Sequence, residues 1–126
     1  MLFRSFAPAS TALPHVKAGT LRALAASGAQ RTNIAPALPT VAETGLAGFE
    51  TSVWIGLLAP AATPLEIVER LNKEIARVLA QPEIKNQFAS QGIDPMGGTP
   101  EQFAAYIREE TTKWARVVQA SGSKLD

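Results

Sequence analysis

The side chains that could do chemistry in this chain are suited to holding an anion. Thr40 heads the run Pro39-Thr40-Val41-Ala42-Glu43-Thr44-Gly45, in which Thr40 and Glu43 have capping-box spacing and Gly45 can stop the turn. The first turn of a helix leaves backbone N–H groups unpaired, and such groups favour negative charge. Thr40 is therefore either a carboxylate contact or a plain helix cap, the commoner duty of a threonine in this position. Arg31 carries a planar fork that can grip a carboxylate through two bonds, with an ordinary solvated arginine as the alternative. Trp54 can wall a ligand cleft or pack in a core, and Ser52 and Gly56 share its segment.

Other chemistry finds no residues. His15 is the only histidine and there is no cysteine, so neither a metal cluster nor thiolate catalysis has its ligands. Glu109 and Glu110 are adjacent on a helical pattern and point to different sides, which unfits them for paired acid–base work. Gly97-Gly98 precedes a helix but lacks the Gly-x-x-x-x-Gly-Lys pattern of a phosphate loop, and reads as a turn. No catalytic set and no cofactor are expected. A formal net charge of +1 supplies no field for nucleic acid or an anionic membrane. No apolar run approaches the ~18 residues of a membrane span. The start, Met1 to Pro8, is broken by Arg4 and Pro8, so the chain as written has no export signal and would stay in the cytoplasm.

The elements that position these residues fall into two halves. Residues 49–68 mark the boundary: an apolar, β-forming run from Val53 to Ala59, a stop at Pro60, then a helix start at Thr63-Pro64-Leu65-Glu66. Before it, a short helix from Ser10 to Lys17 ends at Gly19, residues 20–26 read as a buried strand, and residues 27–38 as a loop. After it, Ile67, Val68, Leu71, Ile75, Val78 and Leu79 fall on one face of a helix over 64–80. Pro82 breaks that helix and Gly92 ends the next one, over 83–91. Thr99, Pro100 and Gln102 repeat the cap, proline and box-closing pattern ahead of a last helix over 100–120, with Gly122 as its stop. Phe103, Tyr106 and Trp114 lie on its apolar stripe and read as packing residues. The fold class is α/β with a predominantly helical C-terminal half.

The ordered pieces resemble a known family. They are His15-Val16-Lys17-Ala18-Gly19-Thr20-Leu21-Arg22-Ala23-Leu24-Ala25, Arg31, Leu38 to Gly45, Trp54 to Pro64, Leu71 to Ile75, Pro82-Glu83, Gly97 to Pro100 and Trp114. In that order and spacing they are similar to the C-terminal part of the Bug-type (TctC-like) solute-binding proteins of tripartite tricarboxylate transporters, over nearly the whole chain. The resemblance implies partial lobes of a type II-like periplasmic binding protein, each lobe an α/β sandwich. Residues 1–50 would be the end of the second lobe, and residues 51–126 the crossover strand and the C-terminal part of the first. It implies a truncated, periplasmic receptor that holds a small organic carboxylate and works with transporter membrane subunits. Thr40, Trp54, Arg31, Ser52 and Gly56 are its candidate ligand residues. Without the family's other strands, residues 20–26 and 53–59 would expose edges, so the isolated chain is expected to be a homo-oligomer. The alternative is an orphan fragment that binds no ligand and folds by oligomerisation or domain swapping.

Overall fold

The computed structural model describes residues 4–123; the first three residues of the N-terminal stretch read above lie outside them. The elements are α1 (Ala9–Lys17), α2 (Leu65–Leu79), α3 (Pro82–Ser90) and α4 (Pro100–Ser121). They belong to two compact units. One takes the chain up to Leu58 together with Leu79–Met96; the other takes Ala59–Val78 and the chain from Gly97 on.

In the first unit, α1 and α3 end alike. Both stop at a glycine in the left-handed region, Gly19 at φ 73° and Gly92 at φ 74°. Gly19 N–H donates to Val16 and Thr20 N–H to His15 carbonyl; Gly92 N–H donates to Ala89 and Ile93 N–H to Phe88 carbonyl. These crossed bonds are the Schellman pattern, which satisfies carbonyls the helix leaves unpaired. Gly92 has a second reason to be glycine. A Cβ there would lie 2.6 Å from Ser10 N and 2.8 Å from Ala9 C, so the exit of α3 meets the start of α1 backbone to backbone. Two residues on, Asp94 accepts hydrogen bonds from Thr32 Oγ1 at 3.2 Å, Asn33 N at 3.3 Å and Asn33 Nδ2 at 3.4 Å. Phe6 and Phe49 stack with ring centroids 6.3 Å apart.

The second unit follows local rules. In α2 the half-buried residues are Val68, Asn72, Ile75 and Leu79, a helical seam. The Pro64 carbonyl takes the Ile67 and Val68 N–H groups, so α2 starts one residue later than its proline suggests. Asn72 Nδ2 donates to the Gly98 carbonyl at 2.9 Å, tying α2 to the residue before the α4 cap. That cap is a complete box: Thr99 N–H donates to Gln102 Oε1 at 2.8 Å and Gln102 N–H to Thr99 Oγ1 at 3.2 Å. Gly122, at φ 66°, closes α4. Glu110 is buried on α4, where Trp114 Nε1 donates to it at 3.0 Å and Lys113 pairs with its other oxygen, while Glu109 is exposed.

The expected strands differ from the structure. Among the described residues the β-structure is one isolated parallel bridge, Ala26 to Thr40. Leu21 and Leu24 in the 20–26 run are exposed. The 53–59 run has no ladder and is not buried: Val53 is 83% exposed, Ile55 89%, Leu57 78% and Leu58 79%. A strand is stabilised by partners on its edges and a cover on its face, and Val53, Ile55, Leu57 and Leu58 lack that cover. No apolar side chain among the described residues is fully buried. An exposed Leu, Ile or Val such as Val53 or Ile55 forgoes most of the roughly 1.5–3 kcal/mol that full burial would contribute.

Candidate functional site

Two of the candidate residues, Arg31 and Thr40, are brought together beside a small parallel arrangement in the first unit. Ala26 N–H donates to the Pro39 carbonyl and Val41 N–H to the Ala26 carbonyl, each at 2.8 Å. Thr51 N–H donates to the Ser27 carbonyl, also at 2.8 Å. Residues 26–27 therefore lie between 39–41 and 51. Because 26 and 40 run parallel, the loop after Ser27 and the turn after Thr40 leave at the same end. Ligands of open α/β sheets bind at that carboxyl end of parallel strands.

Arg31 and Glu43 meet there. Arg31 Nε donates to Glu43 Oε1 at 3.1 Å and to Oε2 at 3.0 Å, and both side chains are about half exposed. Glu43 also closes its capping box: Thr40 N–H donates to Glu43 Oε2 at 2.7 Å, and Glu43 N–H donates to Thr40 Oγ1 at 3.1 Å. The Thr40 N–H and then the Arg31 guanidinium hold the Glu43 carboxyl below its ordinary value of 4.5. Thr40 is 2% exposed, and the N–H groups of Thr40, Val41 and Glu43 all have partners inside the protein. The segment from Val41 to Gly45 forms turns, with Thr44 N–H donating to the Thr40 carbonyl at 3.2 Å. Thr40 thus holds the turn and, through Glu43, the arginine. Neither Nη group of Arg31 has a hydrogen-bond partner among the described residues, so the outer edge of its fork is uncommitted.

Ser52, Trp54 and Gly56 follow Thr51 away from Ser27. Ser52 and Gly56 are exposed, and Trp54, at 41%, is the least exposed large side chain of its run. No hydrogen bond among the described residues links Ser52 or Gly56 to Arg31 or Thr40. The Arg31–Glu43 pair carried no periodic signal, because its partners are twelve residues apart in a loop and a turn. Only the Thr40–Glu43 half of the cluster had a spacing that could be read. His15 serves the end of α1, where its carbonyl accepts from Thr20 and Leu21 N–H. A depression of about 520 Å³ in the second unit is lined by Arg108, Glu109, Thr112, Lys113, Arg116 and Val117, all on α4, and so is a helix surface rather than a cleft.

Comparison with known proteins identifies the frame. The sequence pattern of the tripartite tricarboxylate transporter family receptor (TctC) matches residues 4–123. Protein BugT of Bordetella pertussis is 39% identical over 113 residues, which cover 90% of this chain and 35% of BugT. Among solved structures, R. palustris Rpa4515 with adipate superposes with a TM-score of 0.74 at 33% identity, over 90% of this chain and 38% of that one. The periplasmic binding protein BugD does so with a TM-score of 0.70 at 28% identity, over 87% and 38%. The chain spans about a third of the length of the curated relatives it matches. The match over nearly every described residue, in sequence and in structure, places this chain in the tripartite tricarboxylate transporter receptor family, a family of receptors rather than enzymes.

Proposed function

We propose that this chain contributes to a periplasmic receptor for small organic dicarboxylates, which it holds by hydrogen bonds and charge without covalent chemistry. The observation that carries the reading is the Arg31 fork. Its Nε is fixed by Glu43, and its two Nη groups have no hydrogen-bond partner among the described residues. A guanidinium held in this way is suited to a carboxylate, because part of the ordering cost has been met before the ligand arrives. Adipate in the related Rpa4515 structure supports the dicarboxylate class. In this reading Arg31 grips one carboxylate, Thr40 holds the turn beneath it, and Ser52, Trp54 and Gly56 form the neighbouring wall. The receptor would present its ligand to transporter membrane subunits.

The lobe assignment belongs to the same proposal. Residues 1–50 close the second lobe, and residues 51–126 carry the crossover strand and the C-terminal part of the first, both lobes being α/β in the complete receptor. That division concerns the whole receptor, whereas the two compact units are a grouping within this chain.

Thermal shift and titration calorimetry with adipate, succinate and citrate test the ligand reading. A dicarboxylate should raise the melting temperature. Arg31→Ala should weaken binding about ten- to hundredfold. Arg31→Lys should recover little, since an ammonium cannot make the paired contact. If none of the three acids stabilises the wild-type chain, the reading fails and the ligand-free fragment takes its place. The exposure of Val53, Ile55, Leu57 and Leu58 is the observation that favours that second reading.

A further inference from the structure

The turn that follows Arg31 is held from a distance. Among the described residues, the hydrogen bonds that leave loop 28–38 go to two acidic side chains, Glu43 and Asp94. Glu43 receives Arg31 itself. Asp94 receives the next two residues, and lies 62 residues from Thr32 and 61 from Asn33. Thr32 Oγ1 donates to Asp94 Oδ2 at 3.2 Å, Asn33 N–H donates to the same oxygen at 3.3 Å, and Asn33 Nδ2 donates to Oδ1 at 3.4 Å.

We infer that Asp94 is a positioning residue for Arg31: it fixes the turn after the arginine and so holds the guanidinium against Glu43. Its effect on ligand binding rests on the carboxylate reading of Arg31 given above; its effect on the Arg31–Glu43 pair does not.

Polarity suits a carboxylate at this position. All three groups turned to it are donors, and an ionised carboxylate accepts through either oxygen. The Thr32 hydroxyl also accepts from Ile34 N–H at 3.2 Å, so its proton is left for Asp94 while its lone pair serves the turn. Ala35 N–H closes that turn on the Thr32 carbonyl at 3.3 Å.

The hold reaches Arg31 through the main chain. Asn33 N–H belongs to the planar peptide that joins residues 32 and 33. Fixing that plane leaves only the two dihedral angles of Thr32 between it and the peptide that closes Arg31. Asp94 is in turn placed by its own surroundings. It precedes Pro95, which restricts its backbone to extended conformations. It also lies two residues after Gly92, whose backbone abuts Ser10 and Ala9. The hold therefore runs from the exit of α3 through Asp94 and residues 32–33 to the arginine. Without it, Glu43 alone would have to order the loop, and the remaining freedom would be lost only on ligand binding.

Exchange of the Arg31 Nε–H in the full chain, followed by NMR beside a titration with adipate, tests this. Asp94→Ala should speed that exchange about tenfold and weaken adipate binding by a similar factor. Amide protection in α1 and α3 should stay as in the wild type, because the three bonds are exposed and add little to global stability. Asp94→Asn should restore most of both effects. Its amide oxygen can receive Thr32 and Asn33 N–H, while its NH2 meets the Asn33 side-chain oxygen once that amide turns over. Thr32→Val removes the contact from the loop side and should act in the same direction, and the double variant should lose less than the two single variants together. Unchanged Nε–H exchange in Asp94→Ala overturns the inference, as does a loss of protection throughout α1 and α3 or an additive double variant. So does an Asp94→Asn variant as poor as alanine, which would make charge rather than hydrogen bonding responsible. Faster exchange with unchanged adipate affinity upholds the hold on Arg31 and counts against the arginine as the ligand contact. A wild type that binds no adipate defeats the carboxylate reading alone, and the Nε–H exchange still decides on Asp94.

Discussion

The two units are built on different principles. The second, with α2 and α4, is assembled from local instructions: a seam at helical spacing, a threonine–glutamine capping box and a terminal glycine. The first holds α1 and α3 but owes its arrangement to contacts between residues far apart in the chain. Asp94 binds Thr32 and Asn33, Gly92 admits the start of α1, Ala26 bridges to Thr40, and Arg31 reaches Glu43. The candidate site lies in this first unit. A cluster drawn from a loop, a turn and a single bridge is easily re-aimed, whereas a helix pair is better at being a support.

The contrast can be broken at its strongest point with Gly92→Ala. Alanine would have to adopt a left-handed backbone and would drive its methyl group into Ser10 and Ala9. A loss of about 2–3 kcal/mol in urea unfolding is expected, confined to the first unit. Hydrogen exchange should show α1 and α3 opening while α2 and α4 stay protected. Thr99→Ala probes the other side. It removes the box at the start of α4 and should cost about 1 kcal/mol, read as fraying of residues 100–104 with the Asp94 bonds intact.

The smallest effect comes from acid. The folded carboxyl of Glu43 sits below its ordinary value, so its contribution is fully present above pH 4.5 and is lost as pH falls through the lowered folded value. Because the pair is exposed, global stability should barely move. The Thr40 amide and Arg31 Nε–H resonances should shift together over that range. Glu43→Gln should abolish the shared titration, and separate titration of the two signals would show that they do not form one cluster.

Much of this could be read before any coordinates. The ends of α1, α3 and α4 follow from Gly19, Gly92 and Gly122, and both complete boxes, Thr40–Glu43 and Thr99–Gln102, follow from residues three apart. The family was legible in the order of the segments, and the family match bears it out. Half of the candidate site was legible as well: Arg31 and Thr40 stood out by type. Their joint dependence on Glu43 did not, nor did the burial that withdraws Thr40 from solvent, because a contact across twelve residues of loop leaves no periodic trace.

The 53–58 run teaches the opposite lesson. Its composition asks for a buried strand, and the structure leaves Val53, Ile55, Leu57 and Leu58 exposed. Apolar character states what a segment would gain from cover but cannot supply the cover. The sequence by itself determined where helices begin and stop, because caps, prolines and glycines act within one turn. Tertiary structure alone decided which loop meets which turn, that Arg31 is held by Glu43, and that Val53, Ile55, Leu57 and Leu58 stay exposed. Those outcomes depend on the presence of a second surface, which no local pattern encodes.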